Sequence, residues 1–321
     1  MFLMRNRHLF VKIADAMDDY FPATAPHFVS AHLFVTRLSS GLKATAIFLT
    51  YRQVNSPKVV ISETALNIQP QFHPPINPPQ PTGLPQVGFA ETVEEVRAAQ
   101  QLRYDIFARE MGASLHNQIP GLDHDHLDPY CRHVLVRDAA TQQLIGCTRI
   151  LSEDSARRAG GFYSQSEFNI APVLTLPGRF AEIGRTCVHR NYRNGVTISA
   201  LWSGIARFVA EQQIDYLIGC ASIPLGENGA MAQAIFSELA QRHLTAEEVR
   251  VKPLIPLPRH DIVARDDYPM PPLLKAYLRV GAKICGEPFL DEDFQVADVF
   301  ILVSTRQITR RYARHFLDRA A

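Results

Sequence analysis

The chain has 321 residues and a formal net charge of +1, from 33 lysine and arginine residues against 32 aspartate and glutamate residues. Nucleic-acid-binding proteins usually carry a basic excess or a basic stripe, so this balance predicts no nucleic-acid partner. Hydrophobic residues make up 46% and charged residues 20% of the chain, which is typical of a globular protein with a buried core.

The cysteines and the apolar segments bear on location. The five cysteines are widely spaced and show no CxxC pair, which is typical of free thiols in a reducing compartment. The apolar segment at residues 31–51 is interrupted by Arg37 and Lys43, so it predicts no transmembrane helix, and we find no secretory signal. We therefore expect a cytoplasmic protein, and contact with the inner face of the cytoplasmic membrane stays open.

A proline-rich segment divides the chain. Residues 70–86 contain seven prolines in "PQFHPPINPPQPTGLP", and such a run favours extended polyproline II over helix or central strand. We interpret it as a linker between an N-terminal extension of unknown role, residues 1–69, and a catalytic domain, residues 87–321.

The catalytic domain begins with a strand, "VGFAE", and an amphipathic helix over residues 92–112 that starts with the capping-box pair Thr92 and Glu95. "RHVLVRD" and "QLIGCTRIL" predict a hairpin. A long excursion then leads to a third strand, "RFAEIGRTCVHR".

The second half alternates between helical and strand patterns. A helix over residues 194–213, the strand "DYLIGCAS", a helix over 227–243, a strand near 249–254, the helical "PPLLKAYLRVGA" and the strand "VADVFILVS" follow in order. The order predicts an α/β fold with a mixed central sheet and helices on both faces. A terminal basic helix, residues 306–320, is either a solvated face or a contact surface for an acidic carrier protein or anionic lipid.

One strand–turn–helix segment, "FAEIGRTCVHRNYRNGVTISALW", carries chemistry. Its strand contains Glu182 and, three residues later, Arg185. The turn from Arg193 to Gly195 opens a helix, and helix N-termini present free N–H groups that suit a phosphate. Phosphopantetheine supplies such a phosphate, although many α/β proteins have a glycine at this place for packing alone.

Nine segments spread over about residues 89–316 carry a family resemblance, among them "GLDHDHLDPYCRHVLV", "EIGRTCVHRNYRNG", "PPLLKAYLRVGAKICGEP" and "RYARHF". Together they resemble the ornithine N-acyltransferases of the ornithine-lipid pathway, which are hemolysin-like enzymes of the GNAT fold. The same region is more distantly similar to acyl-homoserine-lactone synthases and N-acyl amino acid synthases. The resemblance implies a GNAT-like fold and transfer of a 3-hydroxyacyl group to the α-amine of ornithine, giving lyso-ornithine lipid.

The resemblance also implies which residues form the site. Glu182 is the expected base for the attacking amine, and Arg185 the residue that orients or neutralises acidic groups. The expected acyl-pantetheine contacts are Cys187, Val188, Arg193 and Gly195, with an oxyanion donor near Cys187 and Val188. The expected substrate-binding set comprises Arg103, Phe107, Asp123, Asp125, Asp128, Arg149 and Phe168.

The expected acyl donor is inferred from the loop around Gly195, which departs from the usual phosphate-binding motif of GNAT enzymes. GNAT enzymes that use acetyl-coenzyme A usually show [Q/R]-x-x-G-x-[G/A], whereas Tyr192 and Thr197 occupy the outer positions around Gly195 here. A loop that binds pyrophosphate less tightly favours acyl carrier protein, which has none. We expect acyl carrier protein and an amino acid as partners, with no cofactor beyond the phosphopantetheine on the donor.

Alternatives remain for the acidic loop, residues 123–128, and for the function. The loop carries three aspartates and two histidines but lacks the glycine and glutamate of an EF-hand, so we expect no metal there. Its acids bind a cationic acceptor or pair with Arg103 and Arg149. The alternative functions are an acyl-homoserine-lactone-type or other N-acyl amino acid synthase, and a non-catalytic acyl-binding or membrane-active protein.

Overall fold

The computed structural model describes residues 85–116, 119–259 and 268–308. The N-terminal extension, nearly all of the proline-rich linker and most of the terminal basic helix lie outside these residues, so the predicted domain boundaries stay predictions. Within the described residues, no helix is both long and apolar enough to span a bilayer.

Ten strands and five α-helices make up the described structure. The strands are β1 (Gln86–Phe89), β2 (Arg132–Arg137), β3 (Leu144–Ser152), β4 (Phe168–Asn169), β5 (Phe180–Val188), β6 (Tyr216–Pro224), β7 (Lys252–Pro253), β8 (Lys283–Ile284), β9 (Phe289–Asp291) and β10 (Val296–Ser304). The helices are α1 (Val93–Tyr104), α2 (Glu153–Ala159), α3 (Gly195–Gln212), α4 (Ala230–His243) and α5 (Pro272–Arg279).

Eight strands form one mixed sheet in the order β1-β2-β3-β5-β6-β10-β8, with β9 paired to β10 beside β8. Among the described strands of this sheet, β5 and β6 form the one parallel pair, and every other pair is antiparallel. The strand predicted near residues 249–254 is only the short β7, which pairs with β4 in a separate sheet. Helix α2, inside the excursion, was not predicted.

Helices cover both faces of the sheet. Successive residues of each strand point to opposite faces, so one strand can pack against both layers of helices. In β2, Val134 and Val136 pack in the same core as Trp202 of α3. Leu135, between them, packs with Leu102 of α1 in a second core on the other face. The predicted mixed sheet with helices on both faces is confirmed.

The first helix departs from its prediction at its C-terminal end. The Thr92 side chain accepts a hydrogen bond from the Glu95 amide, as a capping residue should. The α-helix ends at Tyr104, and residues Asp105–Glu110 continue as a π-helix. Such wide turns recur at functional sites, and this one carries Phe107.

Strands β5 and β6 separate after a short parallel contact. They pair only from Phe180 with Tyr216 to Glu182 with Ile218. Beyond that point β5 stays paired with β3 up to Val188, and β6 stays paired with β10 up to Pro224. Gly219 lies at the start of the separation, where an added Cβ would lie 2.4 Å from the carbonyl oxygen of Ile183.

We predict that Gly219→Ala lowers the free energy of unfolding by about 1–3 kcal/mol, because neither backbone can move without disturbing two strand pairs. Urea unfolding followed by circular dichroism measures the change. Gly88→Ala in β1 is the matched control: a Cβ there meets no described atom within 4 Å. Equal stability of the two variants would contradict this account of Gly219.

Candidate active site

A cavity of about 790 Å³ opens where β5 and β6 separate. Helix α5, the π-helix and the two strands form its walls. Its lining is mostly apolar and includes Ile106, Phe107, Met111, Ile183, Val188, Ile198, Ala221, Leu273, Leu274, Ala276 and Tyr277. A cavity of this size and character suits an acyl chain or another extended apolar ligand. We call it the large cavity.

A β-bulge places Arg185 at this cavity. Cys147 of β3 pairs with Cys187, but two residues later Arg149 pairs with Gly184, so Thr148 alone faces both Arg185 and Thr186. Arg185 has a φ of 52°, in the left-handed region that residues other than glycine rarely adopt. Such conformations cost about 1–3 kcal/mol and cluster at functional sites.

Glu182 lies at the point of separation and lines the large cavity. Its carboxylate accepts hydrogen bonds from the Tyr163 amide at 2.6 Å, from the Ser164 amide at 2.8 Å, and from the Ser164 hydroxyl. Burial is the largest influence on this group and raises its pKa, although the Ser164 and Tyr163 donors and the charge of Arg149 oppose the shift. A carboxylate with a raised pKa is a stronger base.

Arg185 lies between two aromatic rings, with its guanidinium carbon 4.8 Å from the centre of Tyr163 and 5.1 Å from that of Phe294. Its Nε is 3.4 Å from an oxygen of Asp123, an ion-pair distance without hydrogen-bond alignment. Arg185 lines the large cavity and also a second, more polar cavity of about 520 Å³. The two cavities therefore meet at this side chain.

The acidic loop forms one wall of the second cavity and is held by two buried arginines. Arg103 contacts Asp123 at 2.8 Å and Asp128 at 2.8 Å, and it is 1% exposed. Arg149 contacts Asp125 at 2.7 Å and Asp128 at 3.1 Å. Of the two alternatives for this loop, the structure shows the pairing with arginine. We call these five residues the ion network.

Charge keeps Asp128 ionised inside this network. Burial pushes its pKa upward, but the charges and hydrogen bonds of Arg103 and the charge of Arg149 outweigh that effect, so the pKa lies below its usual range. The network joins α1, the acidic loop and β3. It therefore fixes the wall against which Arg185 and the second cavity are built.

Comparisons with known proteins agree with this architecture. Residues 102–203 match the acetyltransferase (GNAT) domain family. The L-ornithine N(alpha)-acyltransferase of Brucella abortus is 33% identical over 252 residues, covering 72% of this chain and 88% of that protein. The protein of the same name in Rhodobacter capsulatus is 30% identical over 248 residues, covering 73% of this chain and 95% of that protein. This chain belongs to the L-ornithine N(alpha)-acyltransferase family.

Solved structures are also similar to this family member. The N-acyl amino acid synthase FeeM from uncultured soil microbes superimposes with a TM-score of 0.42 and 12% identity, covering 70% of this chain and 92% of that one. The AHL synthase LasI gives a TM-score of 0.40 and 16% identity, covering 68% and 88%. The match to the GNAT family and the observed sheet confirm a GNAT-like fold, and the chain is an N-acyltransferase.

In this N-acyltransferase, three of the four predicted pantetheine contacts line the large cavity: Cys187, Val188 and Arg193. The Arg193 side chain is engaged within the protein, because its Nε donates to the Val188 carbonyl at 3.1 Å and its Nη1 lies 2.6 Å from Glu110. The fourth, Gly195, is buried and lies outside the linings of the two cavities, so its contact with pantetheine stays a prediction.

The start of α3 explains why Gly195 is not at the cavity. Asn194 caps the helix, and its side-chain oxygen accepts the Thr197 amide at 3.0 Å. Thr197 is 2% exposed and faces inward, with its methyl carbon 3.4 Å from where a Cβ on Gly146 would lie. A side chain thus occupies space that a glycine or alanine would leave open at this loop.

Three predicted substrate contacts of the acyltransferase lie outside both cavity linings, and their roles stay predictions. Arg103 and Asp128 are 1% and 4% exposed, pair with each other and lie outside both cavity linings, because the ion network uses them. Phe168 is 1% exposed and packs 5.9 Å from the rings of Phe289 and Phe300, so it is a core residue. Phe107 and Arg149 line the large cavity, and Asp123 and Asp125 line the second one.

Sequence reasoning missed three buried acids beside the large cavity, Glu167, Asp291 and Asp298. One oxygen from each lies within 4.8 Å of the others. Glu167 lies far along the chain from Asp291 and Asp298, and the three match no motif. One signal was available: Asp298 is the sole charged residue of the strand "VADVFILVS", and charged residues are rarely buried without a reason.

We predict that Asp128→Asn lowers the free energy of unfolding by about 3–5 kcal/mol at pH 7, because two buried arginines lose their shared charge. Since the folded pKa of Asp128 is depressed, its contribution is present above the unfolded pKa of about 4 and is lost as the pH falls. The difference in the free energy of unfolding between wild type and variant should therefore become smaller below about pH 4. Denaturant unfolding from pH 3 to 8 measures it.

The matched control is Asp154→Asn, which alters an exposed ion pair with Arg157. Exposed pairs contribute about 0–1 kcal/mol, so this variant should unfold like the wild type at every pH. An Asp128→Asn enzyme as stable as this control at pH 7 would show that the ion network does not support the fold.

Proposed function

We propose that this enzyme transfers a fatty acyl group, of the 3-hydroxyacyl class, from acyl carrier protein to the α-amine of ornithine and forms lyso-ornithine lipid. The observation that carries the proposal is the large cavity, where an apolar wall and the Glu182 carboxylate lie together at the separation of β5 and β6. The relatives named L-ornithine N(alpha)-acyltransferase support ornithine as the acceptor.

The chemistry needs a base, since an ammonium group has no lone pair with which to attack. Glu182 takes one proton from the acceptor's ammonium, directly or through a water. The free amine then attacks the thioester carbonyl carbon and forms the new C–N bond. Loss of a second proton from nitrogen and cleavage of the C–S bond give the amide, and the departing thiolate takes up one proton to become the carrier's thiol.

Acyl carrier protein is the favoured donor because the α3 loop has no open glycine-rich cradle for a pyrophosphate. Thr197 lies where GNAT enzymes that use coenzyme A usually have a small residue, and Asn194 accepts its amide. A carrier protein presents phosphopantetheine without pyrophosphate, so it makes no demand on that space. We place the reaction in the cytoplasm, which suits the five free cysteines.

The test is a reconstituted reaction with ornithine and one 3-hydroxyacyl chain, presented either on acyl carrier protein or on coenzyme A. Mass spectrometry should detect N-acylornithine, with the larger kcat/KM for the carrier-protein donor. An equal or larger kcat/KM with the coenzyme A thioester would refute acyl carrier protein as the preferred donor. Acylation of S-adenosylmethionine in place of ornithine would favour a homoserine-lactone-type synthase.

We predict that Glu182→Gln lowers the rate of acyl transfer by about 10²–10⁴ at neutral pH, because general-base catalysis typically contributes that much. The deficit should shrink as the pH rises, since a larger fraction of the acceptor is then already deprotonated. Single-turnover kinetics across pH 6–10 measure both effects. A rate within about threefold of wild type would remove Glu182 from this role.

A Ser164→Ala variant distinguishes the role of the Glu182 carboxylate from the role of the hydrogen bonds that it accepts. It deletes one hydroxyl donor to Glu182 and keeps the carboxylate. Because the Ser164 hydrogen bond lowers the pKa of Glu182, its loss should move the acidic limb of the pH–rate profile to higher pH. The loss of rate should be far smaller than in Glu182→Gln, and an equal loss in both variants would point to a structural role for Glu182.

A further inference from the structure

Glu167, Asp291 and Asp298 form a buried carboxylate cluster beside the large cavity. The three residues are 3%, 8% and 4% exposed, and one oxygen from each lies within 4.8 Å of the others. They come from different elements: Glu167 precedes β4, Asp291 ends β9 and Asp298 lies in β10. Three acids at this depth repel one another unless a positive group lies between them.

The cluster has acceptor atoms to spare. Both carboxylate oxygens of Glu167 and one of Asp298 are buried and have no well-aligned hydrogen-bond donor among the described residues, although the Cys220 thiol and the Tyr163 hydroxyl lie near Glu167. Burial, followed by the charge of Asp298, raises the pKa of Glu167 to about 8, and the Cys220 thiol and Tyr163 hydroxyl offset part of that shift. Buried acceptors of this kind are rare and call for a partner.

The cluster opens onto the space that holds the proposed base. Asp291 and Asp298 line the large cavity together with Glu182 and Arg185. A chain of contacts connects the two places, because the Ser164 hydroxyl donates to Glu182 and lies 3.6 Å from the Cys220 sulphur. Glu182 and two of the three acids of the cluster thus face one cavity.

Arg185, the cation that faces the cluster, has a partner elsewhere. It lies between the rings of Tyr163 and Phe294 and pairs with Asp123. Its charge opposes the raised pKa values of Asp291 and Asp298 without cancelling burial, which is the larger influence on both. The cluster therefore either keeps protons, as its raised pKa values indicate, or accepts a cationic ligand in their place.

An alkylammonium group matches the cluster better than a metal ion. It has three N–H donors, one for each carboxylate. Ca²⁺ and Mg²⁺ require six or more oxygen ligands in a defined geometry, whereas this cluster offers one oxygen from each of three acids within 4.8 Å.

We propose that Glu167, Asp291 and Asp298 bind the side-chain ammonium of the amino-acid acceptor while its α-amine lies at Glu182. The inference rests on ornithine being the acceptor. It gives the cavity a means of selecting a diamino acid, because an acceptor without the second ammonium leaves three buried carboxylates unpaired. Sites built to bind a polar group reject analogues that lack it by about 10⁴–10⁵.

The test compares ornithine with 2-aminopentanoate, which has the same carbon chain without the side-chain amine. Wild type should prefer ornithine by at least about 10³ in kcat/KM. In Glu167→Gln and in Asp298→Asn, each measured separately, that ratio should fall by at least about 30-fold. The matched control Glu248→Gln removes an exposed acid outside both cavity linings and should keep the wild-type ratio.

A measurement on the unmodified enzyme covers the case of a variant that does not fold. Calorimetric titration at pH 7 in two buffers of different ionisation enthalpy should show that ornithine binding releases more protons than 2-aminopentanoate binding does. The extra protons come from the cluster, because burial and mutual repulsion raise the pKa values of Glu167 and Asp298 and an arriving cation lowers them. Equal affinity and equal proton release for the two ligands would overturn the proposal.

Two further outcomes have fixed meanings. Stoichiometric binding of Mg²⁺ or Ca²⁺ that is lost in Glu167→Gln would overturn the ammonium site in favour of a metal site. Turnover of ornithine with an unchanged ratio in both folded variants would overturn the ammonium site alone. Failure of the wild type to acylate ornithine, with another amine acylated instead, would refute the proposed function and the site together.

Discussion

The separation of β5 from β6 is the constraint on which the rest of the structure depends. Each strand keeps its outer partner, so the sheet stays continuous at both sides while its centre opens. The opening leaves backbone and side chains of two strands facing a shared space instead of each other. Gly219 allows this geometry because the Ile183 carbonyl approaches too closely for any side chain.

Acidic side chains behave in three different ways around this opening, and their neighbours decide which. Asp128 is held ionised by two arginines, which makes it part of the scaffold. Glu182 accepts hydrogen bonds from a backbone turn, which fixes its direction while burial raises its pKa. Glu167 accepts no aligned hydrogen bond from an arginine or an amide among the described residues, and burial raises its pKa. The donors around each carboxyl group thus decide its charge and its orientation.

Periodicity and resemblance predicted most strands and helices, because alternating and helical patterns are local properties of the chain. The bulge at Arg185 and the π-helix at Phe107 were beyond such reasoning, since both depend on how neighbouring strands and loops pack. Motif spacing singled out Glu182, which lies at the large cavity, and the acidic loop, which lies at the second one. It could not predict that Arg103 would form ion pairs with that loop, or that Phe168 would pack against other aromatic rings.

The position of β9 and of the turn after it has a consequence for how such enzymes diversify. They contribute Asp291 and Phe294 to both cavities, and β9 lies at the margin of the sheet, whereas Glu182 lies at its centre. Substitutions in β9 and this turn can therefore accumulate with less effect on the sheet than substitutions in its central strands. A lineage can exchange one amine for another by altering a short peripheral ribbon, and the inherited chemistry persists through the change.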